Sequence, residues 1–438
     1  MNHIKIKIMI VIILFCSMPV IANTIEKKTY SIAEAVKEAI IKNPQISEAL
    51  ARTKSSGETI KKARAEMFAK ASMSYTYTGL EEKPVMKQGA GDVQVAHTNQ
   101  YKWDVTISQP LFTGFALTTQ LKLSKLGLQA SVIESEMYTL DLVRDVKTSC
   151  YQFLLAKKMF EVSNDEVETL TSHRDEATQF YEQGLIPKND LLKSEVSLSS
   201  SIQERERARA TVSSSMALIN MLLATDLNRN IGVVDIDDVS DYNKFQYEDL
   251  VAEAINKRPE IALLRSSKKK IEFNEILAKS KYYPNITAVG RYERNGDSLS
   301  LSDNDYENES NSSLSIQAEW TFFEWGKTRA DVSKSSYDKR AAKEAIRNIE
   351  NSISLEVKNA LLNLNVAERN IKTAHESLAQ AKENWRITKA QYAEQVATST
   401  DVLDARTFLS RADTNYYKAR YGYMIYLAEL DRAAGRRL

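Results

Sequence analysis

Apolar residues return at every seventh position through the C-terminal third of the chain. Val357, Leu364, Ile371, Leu378, Trp385 and Tyr392 form a row of large side chains, and Ala360, Ala367, Ala374, Ala381 and Thr388 form a row of small ones. A sustained seven-residue period keeps one stripe of a helix against its partner, and small residues beside large ones let two helices approach closely. All seven prolines lie at or before Pro284, and neither proline nor glycine stands between Gly326 and Gly422, so the usual helix interruptions are missing there. About 211 residues earlier the same rows reappear as Val146, Phe153, Phe160, Val167, Arg174 and Tyr181, beside Ser149, Ala156, Ser163, Leu170 and Ala177. Leu170 and Arg174 are the two exceptions. The spacing predicts helices of roughly 65 residues, each about 100 Å long.

Ahead of each long helix the period changes from helical to alternating. Met73, Tyr75 and Tyr77 alternate with Ser74, Thr76 and Thr78, and Tyr101, Trp103, Val105 and Ile107 alternate with Lys102, Asp104, Thr106 and Ser108. The second half repeats this with Ile286, Ala288, Gly290 and Tyr292, then Leu314, Ile316, Ala318, Trp320 and Phe322. Each half therefore offers one β-hairpin, apolar on one face and polar on the other, with aromatics near the strand ends. Strands of that kind suit a membrane barrel, although alternation also describes any half-buried sheet. Four strands cannot encircle a lumen, and an open edge in lipid leaves backbone groups unsatisfied. The chain must pool strands with other copies or stay out of the bilayer.

The duplication extends to short motifs. Tyr181-Glu182-Gln183-Gly184-Leu185 before Asp190-Leu191-Leu192 matches Tyr392-Ala393-Glu394-Gln395-Val396 before Asp401-Val402-Leu403. Glu38–Ile46 matches Glu253–Ile261 at an offset of about 215, so a slip of a few residues falls in a loop between the motifs. The expected organisation is a first repeat over 23–246, with a hairpin at about 72–108, a long helix at about 113–182, a return helix at about 188–224 and a connecting segment at about 225–246. A second repeat covers 247–438, with a hairpin at about 286–322, a long helix at about 326–394 and a return helix at about 399–435. The fold class these elements predict is mainly α, an internally duplicated protomer of long coiled-coil hairpins with four β-strands, which form a membrane β-barrel portion only if they pool with other copies.

Composition narrows the setting. Lys5 and Lys7 precede an apolar run from Ile8 to Phe15, and Val20-Ile21-Ala22 supplies small residues at the cleavage positions, so residues 1–22 read as a secretory signal peptide. Phe15 before Cys16 argues against lipidation there. Cys150 is then the only cysteine left, and no internal disulfide can form. Lysine plus arginine, 59, nearly balance aspartate plus glutamate, 58, which gives no basic surface for nucleic acid. Beyond the signal peptide no apolar run reaches the roughly 18 to 20 residues of a membrane-spanning helix.

Taken together, the chain resembles the TolC family of outer-membrane channels over essentially its whole mature length. The likeness rests on Asn43-Pro44-Gln45-Ile46 and Arg258-Pro259-Glu260-Ile261 near the start of each half. It rests also on the strand-to-helix junctions Gln109–Gly114 and Trp320–Gly326, on Tyr392 through Asp401–Arg406, and on Leu427–Gly435. The resemblance implies a homotrimer with a twelve-stranded barrel in outer-membrane lipid and an α-helical tunnel across the periplasm. It implies a collar from about Thr225 to Tyr247 and the C-terminal region, with the loops Gly79–Asn99 and Arg294–Ser312 facing outside. It further implies a passive exit duct for drugs, small toxic molecules or polypeptides, working with a periplasmic adaptor (membrane fusion) protein and an inner-membrane transporter of RND, ABC or MFS type.

The same resemblance places the adaptor-contact tip at Gln183, Gly184 and Leu185 and again at Glu394, Gln395 and Val396, with Gln395 standing where the family usually has glycine. Asp401 and Asp404, three apart on one helical face, match an acidic entrance ring, where crowded like charges would bind cations and raise carboxylate pKa values. Asp190 and Tyr392 match gate residues, while Ala397 stands where an arginine is expected. His97, His173 and His375 lack metal-ligand spacing and read as surface or loop residues. Asp303, Asp305, Glu307 and Glu309 read as a solvated acidic loop. No nucleophile–base set, phosphate loop or dinucleotide motif marks an enzyme, and neither cofactor nor metal is expected. Two rival readings are a secreted coiled-coil or adhesin without a pore, and the periplasmic adaptor itself, which carries one helical hairpin among β-rich domains rather than two.

Overall fold

The computed structural model describes residues 28–89, 91–235, 245–302, 306 and 308–436. The expected signal peptide at 1–22 with Cys16, part of the connecting segment, and Asp303, Asp305 and Glu307 lie outside the described residues. The first half runs β1 (Lys28–Tyr30), α1 (Ile32–Lys42), α2 (Pro44–Ala65), β2 (Lys70–Gly79), β3 (Val85–Gln88), β4 (Gly91–Gln94), β5 (Asn99–Thr113), α3 (Ala116–Glu182), α4 (Lys188–Leu222) and β6 (Ile231–Val233). The second runs α5 (Tyr247–Lys257), α6 (Pro259–Ser280), β7 (Asn285–Gly296), β8 (Ser310–Glu319), α7 (Lys327–Ala393) and α8 (Ser399–Ala433).

Helix lengths are identical in the two halves: 11 residues in α1 and α5, 22 in α2 and α6, 67 in α3 and α7, 35 in α4 and α8. The slip in the repeat therefore falls within the hairpins, between their first and second strands. There the first half carries more than the polar loop expected, because Val85–Gln88 and Gly91–Gln94 pair as the two-stranded ribbon β3–β4.

The long rows pack as their period requires. Val357, Ala360, Leu364, Ala367, Leu378 and Tyr392 are buried, as are Ser149, Ala156, Ser163, Leu170 and Ala177 on the first long helix. The densest packing lies midway along the rods. One cluster joins α1 and β6 to Val146, Phe153 and Leu154 of α3 and to Tyr421 of α8. Its counterpart joins α5 to Val357, Leu361 and Leu364 of α7 and Leu430 of α8. Cys150 sits in the first cluster, where burial pushes its thiol up to about 12 and leaves it unreactive. Toward the distal end only narrow coils remain, with Leu378, Leu409 and Ala412 as a small third cluster.

The hairpins join into one antiparallel sheet of order β2-β5-β7-β8. Ala71, Ile107, Gly290 and Leu314 fall in register on one face, as do Met73, Val105 and Tyr292. The opposite face is polar: Ser74 donates to Asp104 at 2.5 Å, and Lys102 pairs with Glu293 at 2.7 Å. A bulge between Pro110 and Phe112 adds a residue to β5, so Phe112 rather than Leu111 meets Ile286. The apolar row thereby reaches the strand end. β8 stops at Glu319, short of the expected Phe322, and Trp320, Phe322, Phe323 and Trp325 are exposed beyond it. Within the chain the outer edges of β2 and β8 have no strand beside them among the described residues.

Candidate functional site

At the end remote from the sheet, α3 turns into α4 over residues 183–187 and α7 into α8 over 394–398. Both turns are closed by the same pair of backbone bonds. Gly184 donates to the Tyr181 carbonyl at 2.9 Å and Leu185 to Phe180 at 2.9 Å; Gln395 donates to Tyr392 at 2.9 Å and Val396 to Gln391 at 2.8 Å. This closure needs a left-handed residue, Gly184 at φ 75° in one repeat and Gln395 at φ 57° in the other. Gln183, Gly184, Leu185, Glu394, Gln395 and Val396 are all exposed, so the expected tip residues form the two distal corners of the protomer.

Just inside the corners the repeats meet through side chains. Tyr392 is buried against the rings of His173, 4.9 Å between centroids, and Phe180, 5.6 Å. Its hydroxyl has no hydrogen bond of normal geometry; Ser399 is the polar group beside it. Burial raises the Tyr392 pKa, with Glu176 and Asp190 adding to the shift. Asp190 does not bond to Tyr392. It pairs with Lys193 at 3.3 Å, and Lys193 reaches across the repeat boundary to Thr400 Oγ1 at 3.2 Å.

Asp401 has a local task. It accepts from the backbone N–H of Thr398 at 2.8 Å and from Thr398 Oγ1 at 2.6 Å, while Thr398 accepts in return from the Asp401 N–H, a reciprocal cap on α8. These bonds hold the Asp401 carboxyl below the ordinary carboxylate range in the single protomer. Asp404 is exposed one turn further on.

His173 corrects the reading of the histidines as surface or loop residues. It is only 4% exposed, and its Nε2 lies 2.9 Å from Oγ of Ser399, which is 1% exposed. Burial lowers its pKa to about 4, so the ring is neutral near pH 7. The trace of this in the sequence is Arg174, the residue out of keeping in its heptad row: the row shifts by one, His173 turns inward, and the half-buried Arg174 pairs with Asp175 at 2.7 Å. Further along α8, Arg406 is buried against Trp385 at 5.9 Å, and burial lowers its pKa against the pull of Glu166, Asp413 and Asp165. Among the described residues no cluster of histidine, cysteine or carboxylates is arranged to hold a metal, and no helix is long and apolar enough to cross a membrane.

Known structures share this architecture. The outer membrane channel CmeC of Campylobacter jejuni superposes with a TM-score of 0.79 over 92% of this chain and 85% of its own, at 15% identity. VceC, an outer membrane protein of Vibrio cholerae, gives 0.75 over 92% and 96%, at 14% identity. The open state of the outer membrane channel MtrE of Neisseria gonorrhoeae gives 0.72 over 92% and 89%, at 16% identity. At such identities the likeness establishes the fold. No curated protein sequence matches the chain. The sequence profile described as "Outer membrane efflux protein" matches residues 35–224 and 250–436, which is both repeats and most of the chain. With two rods, a membrane-type sheet and a profile covering each repeat in turn, the chain belongs to the outer membrane efflux protein family, a family of channels rather than enzymes.

Proposed function

We propose that this chain is the homotrimeric exit duct of an efflux or secretion assembly, passive in itself and driven by an inner-membrane transporter of RND, ABC or MFS type through a periplasmic adaptor. The observation that carries the reading is the four-stranded sheet, whose two outer edges are unpaired among the described residues. One face is apolar and one polar, so in lipid each edge needs another strand, and three copies close a twelve-stranded cylinder with the polar face inward. The rods then continue the lumen as a helical tunnel, in two equivalent repeats of one protomer. Division of the chain at about residue 246 into these repeats is part of the proposal.

The corners Gln183–Leu185 and Glu394–Val396 are the surfaces offered to the adaptor. Asp190 and Tyr392 stand at the periplasmic gate, and Asp401 and Asp404 line its entrance, where three copies bring six carboxylates together. Cargo in this reading is a drug, a small toxic molecule or a polypeptide. Fractionation and planar bilayers test the proposal: the mature chain should sediment with outer membranes and give stepwise current from its oligomer. A soluble product without current would favour the pore-free coiled coil.

A further inference from the structure

Arg406 of α8 is a buried charge that the duct reading leaves unused. It is 6% exposed, and among the described residues it makes neither a hydrogen bond nor an ion pair; its Nε is wholly enclosed without an acceptor. Glu166, Asp413 and Asp165 act on it only across space. One face of the guanidinium lies toward the Trp385 ring, 5.9 Å from its centroid, so the N–H edge is the part left to meet a ligand. Arg406 lines a cleft of about 270 Å3 between α3, α4 and α8. From α4 the cleft receives Ser197 and Ser200, three apart on one helical face, and neither hydroxyl makes a hydrogen bond among the described residues. Ser201 and Thr407, also at the cleft, are already committed: they donate to the carbonyls of Leu198 at 2.8 Å and Leu403 at 2.9 Å. Leu170, Val196 and Leu403 give it an apolar side.

We propose that this cleft binds a short aliphatic monocarboxylate, its carboxylate gripped by Arg406 with Ser197 and Ser200 and its hydrocarbon tail laid on Leu170, Val196 and Leu403. An arginine stays protonated inside a protein, and a charge taken out of water without a counter-charge is costly, so the packing around α8 gains from any acceptor that reaches the guanidinium. A carboxylate answers the planar fork with two parallel bonds, and its remaining lone pairs suit the two serine donors. Charge selects the valence of the ligand. Glu166 of α3 and Glu204 of α4 line the same cleft; Glu204 is paired with Arg207 at 3.0 Å, and Glu166 makes no ion pair with Arg406. Two carboxylates at the cleft repel a dianion such as phosphate more strongly than a monoanion. The apolar side then favours butyrate over acetate, because each added methylene leaves water. Every group in the site belongs to one protomer, so the site does not depend on the duct reading.

Thermal melting of the purified mature protein in mild detergent tests the site, with sodium chloride, acetate, butyrate and phosphate compared at matched ionic strength. The chains compared are wild type, Arg406→Met and the pair Ser197→Ala with Ser200→Ala. Methionine keeps the length of the side chain and removes its charge and donors. General salt effects on stability are common to wild type and Arg406→Met, so the difference between them reports the site. Butyrate should raise the wild-type melting temperature by several degrees more than that of Arg406→Met, in a saturable manner. Acetate should give a smaller difference, and phosphate none. In the serine pair the half-effective butyrate concentration should rise severalfold, with melting in chloride near wild type. If Arg406→Met fails to fold, the serine pair decides alone. Equal butyrate responses in wild type and Arg406→Met, or an unchanged half-effective concentration in the serine pair, would overturn the site. None of these readouts uses current, so loss of the duct reading would leave the site standing, and loss of the site would leave the duct.

Discussion

Gln395 holds a left-handed backbone, φ 57°, that Gly184 holds at the equivalent corner at φ 75°. A side chain in that region costs about 1 kcal/mol relative to glycine, partly offset because glycine has more freedom to lose on folding. Gln395→Gly should therefore tighten the second corner by about 0.5 kcal/mol, seen as roughly twofold slower hydrogen exchange at the Val396 amide; unchanged or faster exchange would argue against strain there. Gly114 is a stricter case. It has φ 56°, and a Cβ built on it would collide with the Ser280 carbonyl oxygen, whereas one on Gly326, the glycine of the other strand-to-helix junction, meets nothing. Gly114→Ala should cost upwards of about 2 kcal/mol and Gly326→Ala about 1 kcal/mol, so thermal melting of the purified trimers should rank wild type, Gly326→Ala, Gly114→Ala in falling order. Gly184 could be read in the sequence as a helix stop because glycine suits the left-handed cap. Gln395 could be placed there only through the repeat, since no propensity of glutamine points to φ above zero.

At the scale of elements, the long helices were the most legible feature, because the seven-residue rows state directly which side chains face a neighbour. Tyr392 at the end of one row and Ala177 in the other are buried as their positions require. The reading failed where the row itself slips: with Arg174 in the expected place, His173 turns inward, and a one-residue shift leaves almost no composition signal. The bulge at Pro110–Phe112 was invisible for a related reason, since alternation counts residues and a bulge adds one. The buried histidine has a consequence for pH. Its pKa falls from the ordinary 6.5 to about 4 because burial disfavours the cation. The packed form therefore binds fewer protons than the exposed form between these values, and its stability is full above about pH 6.5 and falls as pH drops toward 4. Across that window the loss amounts to roughly 3 kcal/mol. The protection factor of the Val402 amide, which donates to the Thr398 carbonyl at 3.3 Å and is read after removing the intrinsic pH dependence of exchange, should fall over the same range in wild type, and this component should vanish in His173→Phe; an identical fall in both would assign it to the carboxylates instead. For the proposed gate, Tyr392→Phe combined with Asp190→Ala should raise single-channel conductance. Unchanged conductance would remove that pair from the gate.

For the whole molecule, the decisive argument is one of closure. Ten-residue strands with an apolar and a polar face were readable from alternation, and their number, four, was readable as too few for a barrel. How the second strand of one hairpin joins the first of the next was not: the β5–β7 pairing brings together Tyr101–Thr113 and Asn285–Gly296, distant in sequence and joined by no turn motif. The ribbon β3–β4 was missed because its short strands lie in a stretch that polarity alone marks as loop. Among the described residues the outer edges of β2 and β8 stay open, and in the proposed trimer it is the neighbouring copies that pair them in lipid. The most direct test is the native mass of the mature protein extracted from outer membranes in mild detergent. The account predicts a particle of three chains; a monomer that stays soluble without detergent would contradict it.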